Sequence, residues 1–216
     1  MKKPVTPYMG WNSWDCYGAA VTEDIVRANA EFMAKNLKKY GWEYIVVDIE
    51  WAEPNAKNNE YNAFADLAMD EYGRLIPAVN RFPSSAGGKG FKPLADYVHS
   101  LGLKFGIWFE PEMISPASRL YEEHPEWCLM TAGRDLSISR SQYVLDMTRE
   151  DVRDYLFDTI SGVLSSANIE YVKWDFNRNL TEAGSLLLDS DRGGEIYHRY
   201  VLGLYDLLDR LTTAFP

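Results

Sequence analysis

The chain has 216 residues, of which 46% are hydrophobic and 25% are charged, a composition that is ordinary for one globular domain. Its formal net charge of −10 argues against nucleic acid and anionic membranes as partners, because an acidic surface repels both. A neutral ligand such as a sugar meets no such penalty, and the length is short for a complete eight-stranded β/α barrel, which takes roughly 250 residues.

The chain opens with a short aromatic stretch from Tyr8 to Trp14. A helix is predicted to begin after Thr22, which can cap it, and to end at Gly41. The run Tyr44–Asp48 that follows is continuous and β-branched, which is typical of a strand buried on both faces.

Residues 52–90 are polar, irregular and rich in Asn, Gly and Pro, and a loop of this length is often functional. A helix is predicted over residues 91–101 and a strand over residues 103–109. The next excursion, residues 110–146, contains a short helix near residues 118–123.

A long helix is predicted to start at Thr148, with Asp151 as its capping-box partner. A fourth strand covers residues 169–174, and the last helix carries an apolar stripe from Ile196 to Leu211. A strand is therefore followed by a helix four times, which indicates a parallel sheet with helices outside it.

The N-terminus, the length of the apolar runs and the cysteines indicate the cellular compartment. The N-terminus Met1–Pro4 is basic but no apolar stretch follows it, and no apolar run is long enough to cross a bilayer. Cys16 and Cys128 lie far apart without metal-ligand spacing, which indicates free thiols. We therefore expect a cytoplasmic protein that needs neither a metal nor a cofactor.

Polar and aromatic side chains lie at or just beyond the carboxyl end of every predicted strand: Trp14 and Asp15, Asp48 and Glu50, Trp108 and Glu110, Asp175 and Asn177. Active sites of β/α barrels lie at that face. One acid at a strand end is usually structural, but four strand ends that all carry such groups favour a functional site.

Glycoside hydrolysis needs two carboxylates that flank one bond, and in a retaining enzyme one of them attacks the anomeric carbon. Asp175 is the candidate nucleophile. Lys173 lies two residues earlier, so it points to the same side of the strand and its charge would keep Asp175 ionised. The alternative is a structural Lys–Asp pair inside the barrel, and the spacing alone does not decide between them.

Five further residues are candidates for sugar binding. Asn177 offers a donor and an acceptor, and Asp48 can accept bonds from two hydroxyls. Trp14 and Trp108 can form apolar walls, although core packing is the alternative for each. Arg140 can clamp the sugar or a carboxylate, or it can be an exposed loop arginine.

Several segments resemble known enzymes. WFEPEM at 108–113, LYEEHPEW at 120–127, SRSQ at 139–142 and KWDFNR at 173–178 resemble family 36 α-galactosidases. MGWNSWD at 9–15, VDIEW at 47–51 and MDEYGRLIP at 69–77 are similar to family 27 α-galactosidases. The two families share a barrel and a retaining mechanism, and the mixture of motifs suggests an engineered chimera or a natural fusion.

The resemblance implies roles for individual residues. Asp175 matches the catalytic nucleophile, and the galactose-contacting positions are matched by Lys173, Asn177, Arg140, Trp108, Trp14 and Asp48. Many relatives carry two aspartates where this chain has Asp48 and Ile49, which leaves strict galactose specificity open.

The resemblance also implies what is missing. The general acid/base of the family lies on the sixth strand, whereas this sequence stops after the fourth helix. We therefore expect residues 1–216 to form one (β/α)4 half-barrel domain, which a second copy can complete because open strand edges invite pairing. Asp48 or Glu50 of the partner subunit would then lie opposite Asp175 and act as acid/base.

Two functions compete at this stage. The first is a retaining α-galactosidase that acts on α-galactosides as an assembled barrel. The second is a non-catalytic folding module or sugar-binding relic that keeps the nucleophile but lacks its acid.

Overall fold

The computed structural model describes residues 7–57, 65–181 and 183–216. The basic N-terminus Met1–Pro4 and part of the predicted long loop, residues 58–64, lie outside the described residues. The strands are β1 (Gly10–Asn12), β2 (Tyr44–Val47), β3 (Lys104–Phe109), β4 (Met113–Ile114), β5 (Tyr143–Val144) and β6 (Tyr171–Trp174). The α-helices are α1 (Trp14–Tyr17), α2 (Glu23–Asn36), α3 (Lys92–Ser100), α4 (Arg119–Glu123), α5 (Glu150–Ala167) and α6 (Ile196–Ala214).

Four strands form one parallel sheet in the order β1-β2-β3-β6, which is also their order along the chain. Helices follow each of them, so the predicted (β/α)4 architecture with a parallel sheet is confirmed. The excursion after β3 also holds an antiparallel pair, β4 with β5, which the sequence did not predict. Its two-residue strands are too short to show an alternating pattern.

The sheet lies at the centre of a hydrophobic cluster because its middle strands are buried. Phe105 and Ile107 of β3 are inaccessible to solvent. Between them, a Cβ atom at Gly106 would lie 3.0 Å from side-chain atoms of both Tyr171 and Val46. Glycine at this position therefore lets β2, β3 and β6 pack closely.

A second cluster lies between the last two long helices and the loops before them. Val152, Leu156 and Ile160 of α5 and Ile196 and Leu207 of α6 are buried in it. These residues belong to the predicted apolar faces, and their burial fixes both helices against the sheet.

Two helix boundaries differ from the prediction. α2 ends at Asn36, and Gly41 (φ 91°) instead ends the following 3₁₀ turn. α5 begins at Glu150 rather than at Thr148, and the expected capping box is absent, because the Thr148 hydroxyl donates to Asp146 at 2.6 Å. This local hydrogen bond to Asp146 occupies the Thr148 hydroxyl, which is therefore not available to cap the helix.

The loops after β1 and β2 are held together by one buried arginine. Arg81 donates to the carbonyl oxygens of Glu50 and Glu53 at 2.7 and 2.8 Å, and to those of Ala19 and Val21. The Glu50 and Glu53 carbonyls also accept backbone N–H groups, so Arg81 adds a second bond to each of them and joins them to the loop that carries Ala19 and Val21. Arg81 therefore fixes the backbone that carries Glu50.

Apolar side chains remain exposed near both ends of the sheet. Tyr197, Val201 and Tyr205 recur every fourth residue on α6, so they form one stripe, and they are 55%, 41% and 62% exposed. Near the other end, Phe32 of α2 is 60% exposed. We refer to the exposed residues Tyr197, Val201 and Tyr205 as the α6 stripe.

Candidate active site

The site lies at the carboxyl ends of the parallel strands, where the predicted residues converge. β3 and β6 are paired in register up to Phe109 and Trp174, and the Asp175 amide donates to the Phe109 carbonyl at 2.8 Å. This bond places the first residue beyond β6 beside the end of β3, close to Trp108.

Asp175 is held by two side-chain donors. The Trp108 indole Nε1 and the Asn177 Nδ2 donate to the same carboxylate oxygen, Oδ2, at 2.9 and 3.1 Å. Among the residues that the structure describes, none donates to Oδ1. One oxygen of Asp175 is therefore fixed and the other is available for reaction.

The same surroundings keep Asp175 charged. Partial burial on its own would raise the pKa of this carboxyl, but the bonds from Trp108 and Asn177 and the charges of Lys173 and Arg140 outweigh burial and lower it. Asp175 is consequently ionised at neutral pH, as an attacking carboxylate must be.

The direct partner of Lys173 is Asp48, not the Asp175 that the spacing suggested. Lys173 Nζ lies 2.8 Å from Asp48 Oδ2, and Asn12 Nδ2 donates to the same oxygen at 2.7 Å. Asp48 is fully buried whereas Asp175 is part-exposed, so the buried charge has the greater need of a counter-ion. Lys173 nevertheless contributes to the low pKa of Asp175 through its charge.

Arg140 forms an ion pair with Glu110 in which both side chains are buried. This excludes the exposed loop arginine and agrees with the predicted carboxylate clamp. Burial lowers the pKa of Arg140 to about 10, which leaves it charged at neutral pH. The other oxygen of Glu110, Oε1, accepts the Asn177 amide N–H at 3.1 Å.

Trp14 lies at the rim rather than in a wall. Its side chain is 38% exposed, and its amide N–H donates to Asn12 Oδ1 at 2.9 Å. Asn12 thus connects Trp14 to Asp48, a role that sequence reasoning missed. Its position as the last residue of β1, inside the motif at 9–15, was the available signal.

A small pocket adjoins Trp108. It is lined by Ile49, Glu50, Trp51, Ala52, Leu67, Leu75, Trp108, Glu110, Arg140 and Gln142. Glu50 is buried at its edge with 4% of its surface exposed. This pocket combines an apolar wall with charged side chains, and of the predicted site residues it is lined by Trp108, Arg140 and Glu50 but not by Asp175.

One buried carboxylate near the site is not paired. Glu112 has no exposed surface, and neither of its oxygens has a hydrogen-bond partner in the described part of the chain. Burial, with the charge of Glu110, raises the pKa of Glu112 to about 8. Glu112 is therefore mostly protonated at neutral pH.

Two further properties hold for residues 7–57, 65–181 and 183–216. They contain no group of three or more His, Cys, Asp or Glu side chains that is arranged to hold a metal ion. None of their helices is both long and apolar enough to cross a membrane.

Parallel β/α units with a carboxylate at a strand end are features that this chain shares with barrel glycoside hydrolases. The family model described as Melibiase matches residues 5–216, and the chain belongs to that family.

Curated relatives agree with this assignment. The chain is 40% identical over 205 residues to Alpha-galactosidase 1 of Pediococcus pentosaceus, covering 95% of this chain and 25% of that protein. It is 43% identical over 184 residues to Alpha-galactosidase AgaA of Geobacillus stearothermophilus, covering 85% of this chain and 23% of that protein. The chain therefore spans about a quarter of the length of the curated relatives it matches.

Solved structures of both families resemble the chain along nearly its whole length. The family 36 enzyme AgaA of Geobacillus stearothermophilus superposes with a TM-score of 0.77 at 39% identity, over 98% of this chain and 27% of that one. A family 27 β-L-arabinopyranosidase from the same organism, in complex with arabinose, gives a TM-score of 0.71 at 40% identity, over 95% and 46%. Neither likeness is confined to one half of the chain.

Proposed function

We propose that this chain carries the nucleophile half of a retaining glycosidase site that acts on terminal α-galactosides. Oδ1 of Asp175 attacks the anomeric carbon, the bond to the leaving oxygen breaks, and a glycosyl-enzyme ester forms that water later hydrolyses. The observation that carries this proposal is the asymmetry of Asp175, which is ionised with Oδ2 held by Trp108 and Asn177 and with Oδ1 left without a donor.

The neighbouring residues take binding roles in this proposal. Asp48 and Lys173 together present an acceptor and donors for sugar hydroxyls, and the Trp108 ring supplies an apolar wall. Trp14 covers the rim, and Arg140 keeps its charge next to the pocket. Structures of AgaA variants in complex with raffinose and with stachyose support a galactoside as the ligand class.

The general acid/base must face Asp175 across the pocket. Asp48 of the same chain is fully buried and already engaged by Lys173 and Asn12, so it is not available as the acid/base. Closure of the barrel by a second copy would bring another β2 to the sixth-strand position. The partner's Asp48 is engaged in the same way as that of this chain, so Glu50 of the partner subunit would be the candidate acid/base.

An aryl α-galactoside with a good leaving group tests the proposal, because its departure needs little protonation. A missing acid/base usually costs roughly 10²–10⁴-fold in rate with ordinary leaving groups. We expect turnover of the aryl substrate that is abolished in Asp175→Ala and retained in Asp96→Asn, a control that removes an exposed carboxylate from α3. Galactose binding without any turnover would favour the non-catalytic module instead.

A β-L-arabinopyranoside is the second candidate substrate. Ile49, 6% exposed, lines the pocket beside Trp108 where many relatives carry a second aspartate, and an isoleucine side chain accepts no bond from a sugar hydroxyl. β-L-Arabinopyranose has the ring configuration of α-D-galactose but lacks its hydroxymethyl group. The likeness to a family 27 β-L-arabinopyranosidase supports this alternative.

The ratio of kcat/KM for the two aryl glycosides decides between these substrates. A preference for the arabinopyranoside that falls about tenfold in Ile49→Asp would identify Ile49 as the cause. A preference for the galactoside in the unmodified chain would reject the second candidate.

A further inference from the structure

Glu110 connects three segments of the site although the proposed reaction assigns it no part. It follows β3 directly, and its side chain is 2% exposed. Oε1 accepts the Asn177 amide N–H at 3.1 Å, and Oε2 faces Arg140 in the buried ion pair. Each carboxylate oxygen is therefore used by a different loop.

The bond to Asn177 extends the pairing of two strands beyond their ends. The last backbone bond between them runs from the Asp175 amide to the Phe109 carbonyl, at 2.8 Å. Two residues further along the chain, the Asn177 amide N–H donates to the Glu110 side chain instead of to a backbone carbonyl. The carboxylate thus takes the place of a backbone acceptor and fixes the chain on both sides of Phe176.

Asn177 needs this support because it is an exposed residue beyond the end of a strand. A free backbone and a free side chain at such a position would each lose conformational entropy on ordering. Its Nδ2 nevertheless donates to Asp175 Oδ2 at 3.1 Å. A fixed backbone reduces the remaining freedom to the side-chain rotamers, so the bond to Asp175 is favoured.

The ion pair with Arg140 favours the ionised form of Glu110, whose pKa is raised to about 7 by burial and by the charge of Asp175, while the bonds from Asn177 lower it. A carboxylate with 2% exposure would take up a proton unless a cation compensated its charge. An ionised carboxylate can accept on both oxygens at once, whereas a protonated one gives up one acceptor.

We propose that Glu110 is a positioning residue, which together with Arg140 fixes the loop after β6 so that Asn177 holds Oδ2 of Asp175 and leaves Oδ1 free to react. This inference deepens the proposed function, on which its consequence for turnover rests. The two hydrogen bonds that it describes, from the Asn177 amide to Glu110 and from Asn177 Nδ2 to Asp175, can be measured in a chain without activity.

The pKa of Asp175, followed by the ¹³C shift of its carboxyl carbon, tests the inference. If Glu110 had no positioning role, Glu110→Met would leave the pKa of Asp175 unchanged, because Glu110, with a pKa of about 7, is already neutral over the pH range in which Asp175 titrates. If Glu110 positions Asn177, the same substitution raises it, because a bond to the ionised form is lost. We expect a rise, and a lowered or unchanged value would overturn the proposal.

Two variants sharpen this measurement. Glu110→Gln retains a carbonyl oxygen for the Asn177 amide, so it should show no rise. Glu122→Gln removes an exposed carboxylate from α4 that takes part in neither bond, and it should leave the pKa of Asp175 where it is.

Hydrogen exchange in the unmodified chain covers the case in which Glu110→Met does not fold. The Asn177 amide should exchange at least tenfold more slowly than that of Asn179, its exposed neighbour, because only a formed bond protects it. Equal exchange rates would overturn the inference. If turnover is measurable, kcat of the Met variant should fall about tenfold with little change in KM. Protection and a raised pKa without any turnover would reject the proposed function but keep this inference.

Discussion

At the scale of single residues, the carboxylates near the strand ends differ in how their charge is compensated. Asp48 is fully buried and has Lys173 at 2.8 Å, whereas Glu112 is equally buried and has no hydrogen-bond partner among the described residues. Glu112 consequently holds its proton, with a pKa raised to about 8. Neutral Glu112 therefore stabilises the loop only while it remains protonated.

This difference predicts a pH dependence of stability. The folded-state pKa of Glu112, about 8, lies above the ordinary value of 4.5, so its contribution is fully present below pH 4.5 and is lost as the pH rises through 8. In Glu112→Gln we expect this loss to disappear, which makes the variant more stable than the unmodified chain at pH 8 by up to roughly 4 kcal/mol. Urea unfolding at several pH values measures the difference.

Glu126→Gln is the control, because this part-exposed carboxylate lies in the same excursion. Parallel pH profiles for the unmodified chain and Glu112→Gln would contradict the prediction.

The residue types of the site were readable from the sequence, but their pairing was not. Strand-end position identified Asp175, Asp48, Trp108 and Asn177, because the carboxyl ends of parallel strands meet at one edge. The spacing of Lys173 and Asp175 suggested a contact that burial assigns to Asp48 instead. Relative burial depends on the whole fold, which local spacing does not contain.

At the scale of elements, hydrophobic periodicity predicts the four strand–helix units. Their ends depend instead on local side-chain hydrogen bonds that compete with the regular backbone bonds. The long helix α5 starts two residues later than Thr148 because that hydroxyl binds Asp146. The pair β4–β5 escaped prediction because each strand has two residues. Packing between α5 and α6 is a property of both helices together, and glycines show where it is tightest.

Two helical glycines should respond in opposite ways to alanine. A Cβ at Gly203 of α6 would collide with the Met147 carbonyl, whereas a Cβ at Gly162 of α5 meets nothing within 4 Å. Gly203→Ala should therefore destabilise the protein by about 1–3 kcal/mol, because α6 must shift away. Gly162→Ala should stabilise it by up to about 1 kcal/mol, the difference in helix propensity.

Thermal unfolding of the two variants measures both effects. Each serves as the control for the other, since the substitution is the same and only the surroundings differ. A stabilised Gly203→Ala variant would show that α6 does not press against the loop after β5.

At the scale of the whole molecule, the sheet has two outer strands, β1 and β6, and apolar side chains lie exposed near both. Such edges and stripes favour association. The strand order and the match to the Melibiase family agree with the part of a barrel that the sequence predicted. Closure by a second copy remains our prediction.

Light scattering on the purified chain tests this prediction, because it measures the molar mass of the particle in solution. We expect a mass of twice 24.7 kDa, and a monomer when a charge enters the α6 stripe in Tyr205→Lys. Val79→Lys is the control, because Val79 is also exposed but belongs to the loop after β2. A stable monomer of the unmodified chain would reject closure by a second copy.

The contact between Lys173 and Asp48 joins residues 125 positions apart, from β6 and from the end of β2. We expect a contact of this range to form after the intervening strand has paired with both neighbours, because closing so long a loop costs entropy before the contact contributes any energy. We therefore expect chains in which only two or three β/α units have formed to lack the pocket. On refolding, we expect helical ellipticity to recover first and ligand binding to recover last. The rate at which ligand binding recovers would then measure the rate of the final folding step.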